Sequence, residues 1–309
     1  MNPFHLLLLL VLIPLAQAVA APLKIGVLLK DRNLFWASAE KGATAAGRAA
    51  GVEPIIKAPS VPNSLSQQLA LLSALSKEKL DALVIAPLST DEFKEPLAGL
   101  VARGVKIVAL DTKLPDGVAN VYIGYNQAAM AEAAARFIAE TFPNGESISI
   151  LRATSLEGVS LREKTLVAAL KRLCGKSTQY NDVIAGSERD DDYDKCIVLL
   201  DRHPDAKVIC TPFSSTSMAM IKAIKDKHLD GKIFHVGFGT SLPAPVVESM
   251  ESGTMRGWIA QQPKLIGSKG VEAAIDLVKG RPVVLTMDVP YYVVTPANLH
   301  EPQIQALRE

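Results

Sequence analysis

Long apolar runs are scarce in this chain. One stands at the N-terminus, Leu6 to Leu15, and its roughly ten residues suit the core of an export signal but not a bilayer span, which needs about 20. Small residues follow it, Ala18-Val19-Ala20 before Ala21 or Ala16-Gln17-Ala18 before Val19, although the segment ahead holds His5 and no Lys or Arg. Residues 1–20 are therefore expected to be a cleavable signal peptide, and the rest an exported, soluble protein. Cysteine and histidine are sparse as well. With three cysteines, Cys174, Cys196 and Cys210, at least one is unpaired in an oxidising compartment. Cys210, in the apolar run KVIC, reads as a small core residue, and spacing alone does not decide whether Cys174 and Cys196 pair. The five histidines are dispersed and no two stand at ligand spacing, so no metal site is expected. Neither charge is in excess: the net charge is +1 with the signs interspersed, which argues against nucleic acid as a partner.

Catalytic signatures are missing too. GxSxG is absent, and no Ser/His/Asp or Cys/His set assembles from the chain. The Gly-Lys-Ser of LCGKSTQY (173–180) lacks the earlier glycine of a phosphate loop, since position 170 is leucine; Gly175 there reads as the cap that ends a helix. GFGTSL (237–242) lacks the third glycine of a dinucleotide fingerprint. ERDDDYDK (188–195) lacks the central glycine and final glutamate of a calcium loop, and acids at a helix start are explained by capping and the helix dipole.

What is present is an alternation. Apolar runs at 23–29, 53–57, 81–87 and 105–111 are separated by amphipathic stretches near 35–50, 63–77 and 91–103. The pattern then starts again: runs at 121–125, 147–153, 179–186, 206–212 and 232–239 flank helical stretches at 126–142, 158–173, 190–203 and 215–228. A short helix at 243–252 leads to RGWIA (256–260). Strands apolar throughout, with helices between them, predict parallel sheets covered on both faces with right-handed crossovers. The expected fold is α/β, with two similar doubly wound lobes and no flexible linker between them.

In open α/β sheets a ligand sits beyond the carboxyl ends of the strands. Those positions carry Asn33, Phe35 and Trp36 after the first strand, Asp111 after the fourth, Arg162 at a helix onset, and Gln261 and Gln262 after RGWIA. An aromatic pair beside a carboxylate, a guanidinium and amides suits a small polar molecule. The adjacent rings of Phe35 and Trp36, in a chain with only 5% aromatics, are therefore expected to serve as a ligand platform rather than a core plug. One of the two is free to point into the lobe, because neighbours on a helix face different ways.

Taken in order, N-x-F-W, DALVIAPLSTDEF, GVKIVALD, IGYNQAAMAEAAA, VGFG and IAQQPKLIGSKGVEAAIDLVKG resemble the ribose-binding-protein-like periplasmic solute receptors, the type I periplasmic binding proteins. The resemblance spans nearly all of the chain after the leader. It implies two lobes joined by a three-crossing hinge, residues 23–124 plus 262–288 and residues 125–261 plus 289–309, that close on a ligand. It implies ligand contacts at Asn33, Phe35, Trp36, Asp111, Arg162 and Gln261, with Phe213 and Gly239 at the corresponding strand ends. It also implies a monomer in the periplasm, no cofactor, and a membrane partner: an ABC permease, a chemoreceptor or the outer domain of a sensor kinase. Two positions depart from the family's sugar binders, Gly239 where they carry aspartate and Thr112 where they often carry arginine. Each departure removes a charge-assisted bonding position, so the expected ligand is sugar-like but less hydroxylated, modified, or not a sugar. An adaptor that regulates a histidine kinase is the alternative. A cleft enzyme is the alternative from another class, and it would need a nucleophile–base pair in the cleft.

Overall fold

The structure, a computed structural model, describes residues 22–153, 157–174, 179–185 and 192–308. The expected leader, the Gly175-Lys176-Ser177 triplet and the acidic residues 188–191 lie outside the described residues.

The apolar runs become two sheets. β1 (Ile25–Leu28), β2 (Ile55–Lys57), β3 (Ala82–Ile85), β4 (Lys106–Leu110), β5 (Val121–Gly124) and β11 (Thr286–Asp288) form the first, in the order β11-β5-β4-β3-β1-β2. β6 (Ser147–Ala153), β7 (Gln179–Ala185), β8 (Val208–Thr211), β9 (Phe234–Thr240), β10 (Met255–Gln261) and β12 (Tyr292–Val294) form the second, in the order β12-β10-β9-β8-β6-β7. The pairings are parallel except for β12 against β10. IGVL and ALVI of the central strands β1 and β3 are buried at every residue, as a sheet covered on both faces requires.

The helices are α1 (Leu34–Ala49), α2 (Leu65–Leu75), α3 (Asp91–Ala102), α4 (Gln127–Thr141), α5 (Glu157–Leu173), α6 (Asp192–Arg202), α7 (Ser214–Asp226), α8 (Ala244–Glu251), α9 (Pro263–Val278) and α10 (Pro302–Gln305). Their starts follow from local chemistry. The side chains of Asn33, Ser64 and Asn126 accept the orphan N–H groups of α1, α2 and α4, and Pro263 opens α9 where no N–H is needed.

The chain crosses between the sheets three times. It leaves β5 for α4, which packs on α5; it leaves β10 for α9, which packs on α1; and it leaves β11 for β12. α1 and α9 meet at backbone contact. A Cβ on Gly42 would sit 1.9 Å from the Lys264 carbonyl oxygen, and one on Gly267 would sit 1.9 Å from that of Ala39. Two features escape a reading of apolar periodicity. β11 is a mostly exposed three-residue edge strand, identified only by its pairing with β5. α10 is a single turn whose Ile304 tucks under α8 in the same apolar cluster as Leu242 and Val246.

Each sheet is covered on both faces. Leu83, Ile85, Phe93 and Leu97 fill one side of the first, and Leu199, Ile209, Met220 and Ile224 one side of the second. A further cluster around Met255, Trp258 and Val294 packs against β10 and β12, and the largest apolar cluster runs from Ile25 and Val84 through Trp36, Tyr125 and Met130 to Ile150 and Phe238. The core is therefore unbroken where the two sheets meet. Cys210 is buried in that cluster as expected. All three cysteines are free, and Cys196 lies in a different cluster from Cys174, so the two do not pair. Burial pushes all three thiols up, Cys196 to about 12.

Candidate functional site

The first wall is made by the loop from β1 to α1. Asp31 Oδ1 accepts the Asn33 backbone N–H at 2.6 Å, and Asp31 Oδ2 accepts the Asn33 amide at 3.1 Å. Asn33 in turn caps α1 by accepting the Trp36 N–H at 3.1 Å. This locked loop aims the two rings. Successive residues on a helix diverge by about 100°, so Trp36 turns inward, 5% exposed, while Phe35 stays half-buried. The rings meet edge-on, centroids 4.8 Å apart at 71°, and Phe35 meets Tyr125 edge-on at 6.2 Å. The expected flat platform of two rings is therefore one core ring, Trp36, and one partly open ring, Phe35.

Asp111 follows β4 in the left-handed region, φ 60°, which an aspartate tolerates better than most residues. Its backbone N–H bonds Ile123 at 2.9 Å and its carbonyl accepts the Tyr122 hydroxyl at 3.2 Å. Its Oδ2 pairs with Lys30 Nζ at 2.7 Å, and the same ammonium donates to Thr112 Oγ1 at 2.7 Å. Lys30 is 7% exposed and lies 5.7 Å from the centre of the Trp36 ring. The expectation that Thr112 leaves this corner without a cation is corrected: Lys30, two residues beyond β1, supplies it. Among the described residues no group bonds Asp111 Oδ1.

The second wall centres on Arg162 of α5, 4% exposed. Its Nε and Nη2 donate to Gln127 Oε1 at 2.9 and 2.7 Å, and its Nη1 donates to the Pro212 carbonyl at 2.7 Å. The guanidinium stands 5.3 Å from the Phe238 ring centre. Burial lowers its pKa to about 10, against the opposing pull of Asp111, Glu163 and Tyr125, so it is protonated at neutral pH. Asp111 of the first wall is thus near enough for its charge to act on Arg162 of the second. Among the described residues, two of the five guanidinium N–H groups remain unused.

Phe213 is half-buried at the start of α7, its carbonyl taken by the Thr216 and Ser217 hydroxyls at 2.9 and 2.8 Å. Gln261 is buried at the end of β10, where its carbonyl accepts the Ser241 N–H at 2.7 Å. Gly239 lies beneath Trp258: a Cβ there would come within 2.5 Å of the indole ring and 2.8 Å of Ser214 Oγ. The indole is fully buried and donates to the Ser241 carbonyl at 2.8 Å. The departure from aspartate at this position thus has a steric cause, because Trp258 occupies the room a carboxylate side chain would enter.

A hydroxyl–imidazole chain, Ser217–Thr211–His235, with contacts of 2.8 Å, is buried behind this wall. Burial lowers the His235 pKa to about 3, and Ser217 Oγ also bonds the Phe213 carbonyl and the Phe238 N–H. The chain braces the ends of β8 and β9 rather than presenting a nucleophile. Among the described residues no cluster of His, Cys, Asp and Glu is placed to hold a metal ion, and no helix is long and apolar enough to cross a membrane.

Sequence reasoning missed Lys30, Gln127 and Tyr125. Gln127 stands one residue after the Asn126 cap and reads locally as an ordinary helix start. Lys30 reads as a loop charge, and Tyr125 as the end of a strand. The assembled corner combines an acceptor (Asp111 Oδ1), donors (Arg162), and a partly open aromatic face (Phe35). Its two cations, Lys30 and Arg162, are offset by Asp31, Asp111 and Glu163, which leaves no net positive charge to draw an anion and suits a ligand bearing hydroxyl groups.

Comparison with known proteins finds relatives along most of the chain. The periplasmic binding protein domain matches residues 25–282. The ribose import binding protein of Bacillus subtilis is 26% identical over 271 residues, 85% of this chain and 84% of its own length. The D-allose-binding periplasmic protein of Escherichia coli is 25% identical over 285 residues, 87% of this chain and 89% of its own. Among solved structures, a carbohydrate transporter solute-binding protein from Agrobacterium radiobacter in complex with D-arabinose superposes with a TM-score of 0.83 at 20% identity, covering 93% of this chain and 99% of its own. That likeness shows the fold.

Proposed function

Because this chain belongs to the periplasmic binding protein family, we propose that it is a solute receptor of the periplasm that closes on a neutral, sugar-like molecule and delivers it to an ABC-type membrane permease. Its lobes are residues 23–124 plus 262–288 and residues 125–261 plus 289–309, hinged at the three crossings. Asn33, Phe35 and Asp111 hold the ligand from the first lobe, with Trp36 packed behind them in the core, and Arg162, Phe213 and Gln261 hold it from the second, where Trp258 covers Gly239; Lys30 and Gln127 fix Asp111 and Arg162. The observation that carries this reading is that Asp111 of one wall and Arg162 of the other are near enough for their charges to interact, and among the described residues both keep unused hydrogen-bonding capacity. A ligand that bonds both favours the closed arrangement by its difference in affinity for the two states. No step of this cycle makes or breaks a covalent bond. The curated relatives are named for D-ribose and D-allose, which makes these the first ligands to offer.

The test is thermal unfolding of the purified protein with D-ribose, D-allose, D-arabinose, D-tagatose and D-fucose. A specific ligand at 100-fold over its Kd stabilises by about 2.7 kcal/mol, and Arg162→Met abolishes the shift. Absence of a shift with every sugar counts against a sugar receptor.

A further inference from the structure

Tyr125 lies at the first crossing between the sheets, one residue past β5, and is 3% exposed. Among the described residues its buried hydroxyl has no hydrogen-bond partner; the Gln262 backbone N–H, at the second crossing, approaches it outside hydrogen-bond geometry. Burial followed by the charge of Asp111 holds the phenol well above its ordinary pKa, with Arg162 opposing. The hydroxyl therefore stays protonated and stands within the fields of both walls. Its ring is fixed by edge contact with Phe35. A buried hydroxyl is normally paired, because leaving it unpaired is costly. Among the described residues, the two charged groups that act on the phenol, Asp111 and Arg162, keep hydrogen-bonding capacity at Oδ1 and at two N–H groups, and both belong to the proposed ligand corner.

We propose that the Tyr125 hydroxyl is a ligand-binding and specificity-determining group, completing its hydrogen bond on a hydroxyl or ring oxygen of the bound molecule at the hinge. This rests on the solute-receptor reading above. Asp111 Oδ1 accepts one ligand hydroxyl hydrogen, Arg162 donates to an oxygen, and Tyr125, which both donates and accepts, takes the position between them. The matching ligand element is a pair of adjacent oxygens on a neutral polyol ring. A hydroxyl unpaired in the free protein and paired in the complex adds to the difference in energy between the two, and so to discrimination against a ligand lacking that oxygen.

The experiment is calorimetric titration of wild type and Tyr125→Phe with the sugar that stabilises wild type most among D-ribose, D-allose, D-arabinose, D-tagatose and D-fucose. Its mono-deoxy analogues are titrated alongside. Expected are a five- to tenfold weaker Kd for Y125F, as for one lost hydrogen bond, and an unfolding midpoint of the ligand-free variant equal to or above wild type. One mono-deoxy analogue is expected to lose the same factor on wild type and nothing further on Y125F. Equal affinity of Y125F and wild type overturns the proposal and leaves the receptor reading standing. Should Y125F not fold, the wild-type series decides: if no mono-deoxy analogue loses affinity, the proposal is overturned. If none of the sugars binds wild type, the sugar-receptor reading fails and the proposal falls with it.

Discussion

Lys30 Nζ sits 2.7 Å from Asp111 Oδ2, joining the loop after β1 to the loop after β4 across the intervening β3. The side chains are 9% and 18% exposed, so the pair is neither a solvated surface bridge nor fully buried. Lys30→Met is expected to destabilise by about 2–3 kcal/mol, somewhat below the cost of breaking a fully buried pair. The double variant K30M/D111N recovers more than half of that, since the stranded charge is gone. Urea denaturation checks both. A cost below about 0.5 kcal/mol for K30M would place the pair with ordinary surface bridges.

Gly239 leaves room for Trp258 and for nothing else. Gly239→Ala drives a methyl carbon to 2.5 Å from the indole, and overpacking of this kind costs about 1–3 kcal/mol. In a Trp258→Phe background, where the far ring is absent, the same substitution is expected to cost less than half as much. A double-mutant cycle by chemical denaturation measures the coupling, and additive costs would refute it.

The contact of α1 with α9 offers no side chain that can yield. A Cβ at Gly267 meets the Ala39 carbonyl oxygen at 1.9 Å, so the helices must separate to admit it. Gly267→Ala is expected to destabilise by about 3 kcal/mol or more. Because α1 begins at the aromatic pair and α9 begins just after Gln261, the variant also weakens ligand affinity. A variant with wild-type stability and affinity would show that the two helices are not rigidly joined.

His235 makes stability depend on pH. Its folded pKa is lowered to about 3 by burial, from an ordinary 6.5, so the unfolded chain binds the extra proton between these values. Stability is fully present above about pH 6.5 and is lost as the pH falls toward 3. From pH 6 to pH 4 the group accounts for about 2 kcal/mol. His235→Gln is expected to flatten the pH profile of the unfolding free energy across this window. Parallel profiles for the two proteins would remove His235 as the cause.

Much of the architecture is local in origin. Fully apolar runs such as IGVL and ALVI specify buried parallel strands, amphipathic stretches specify their covering helices, and Asn33, Ser64 and Asn126 mark helix starts. The rule that ligands gather at strand ends then brings Asn33, Phe35, Asp111, Arg162 and Gln261 into view without coordinates. These readings need only neighbours in sequence and the periods of 2 and 3.6 residues.

What the sequence by itself determined is which residues stand at the mouths of the strands; which of them touch was decided by the tertiary structure alone. Lys30 reaches Asp111 over 81 residues, Gln127 reaches Arg162 over 35, and Trp258 covers Gly239 only because β10 lies beside β9. Strand order and crossover placement set these pairings, and neither leaves a periodic trace in the residues involved. Trp36 and Phe35 show the division most plainly. Their adjacency is written in the chain, but only the packing of α1 against the sheet turns one ring into core and leaves the other partly open.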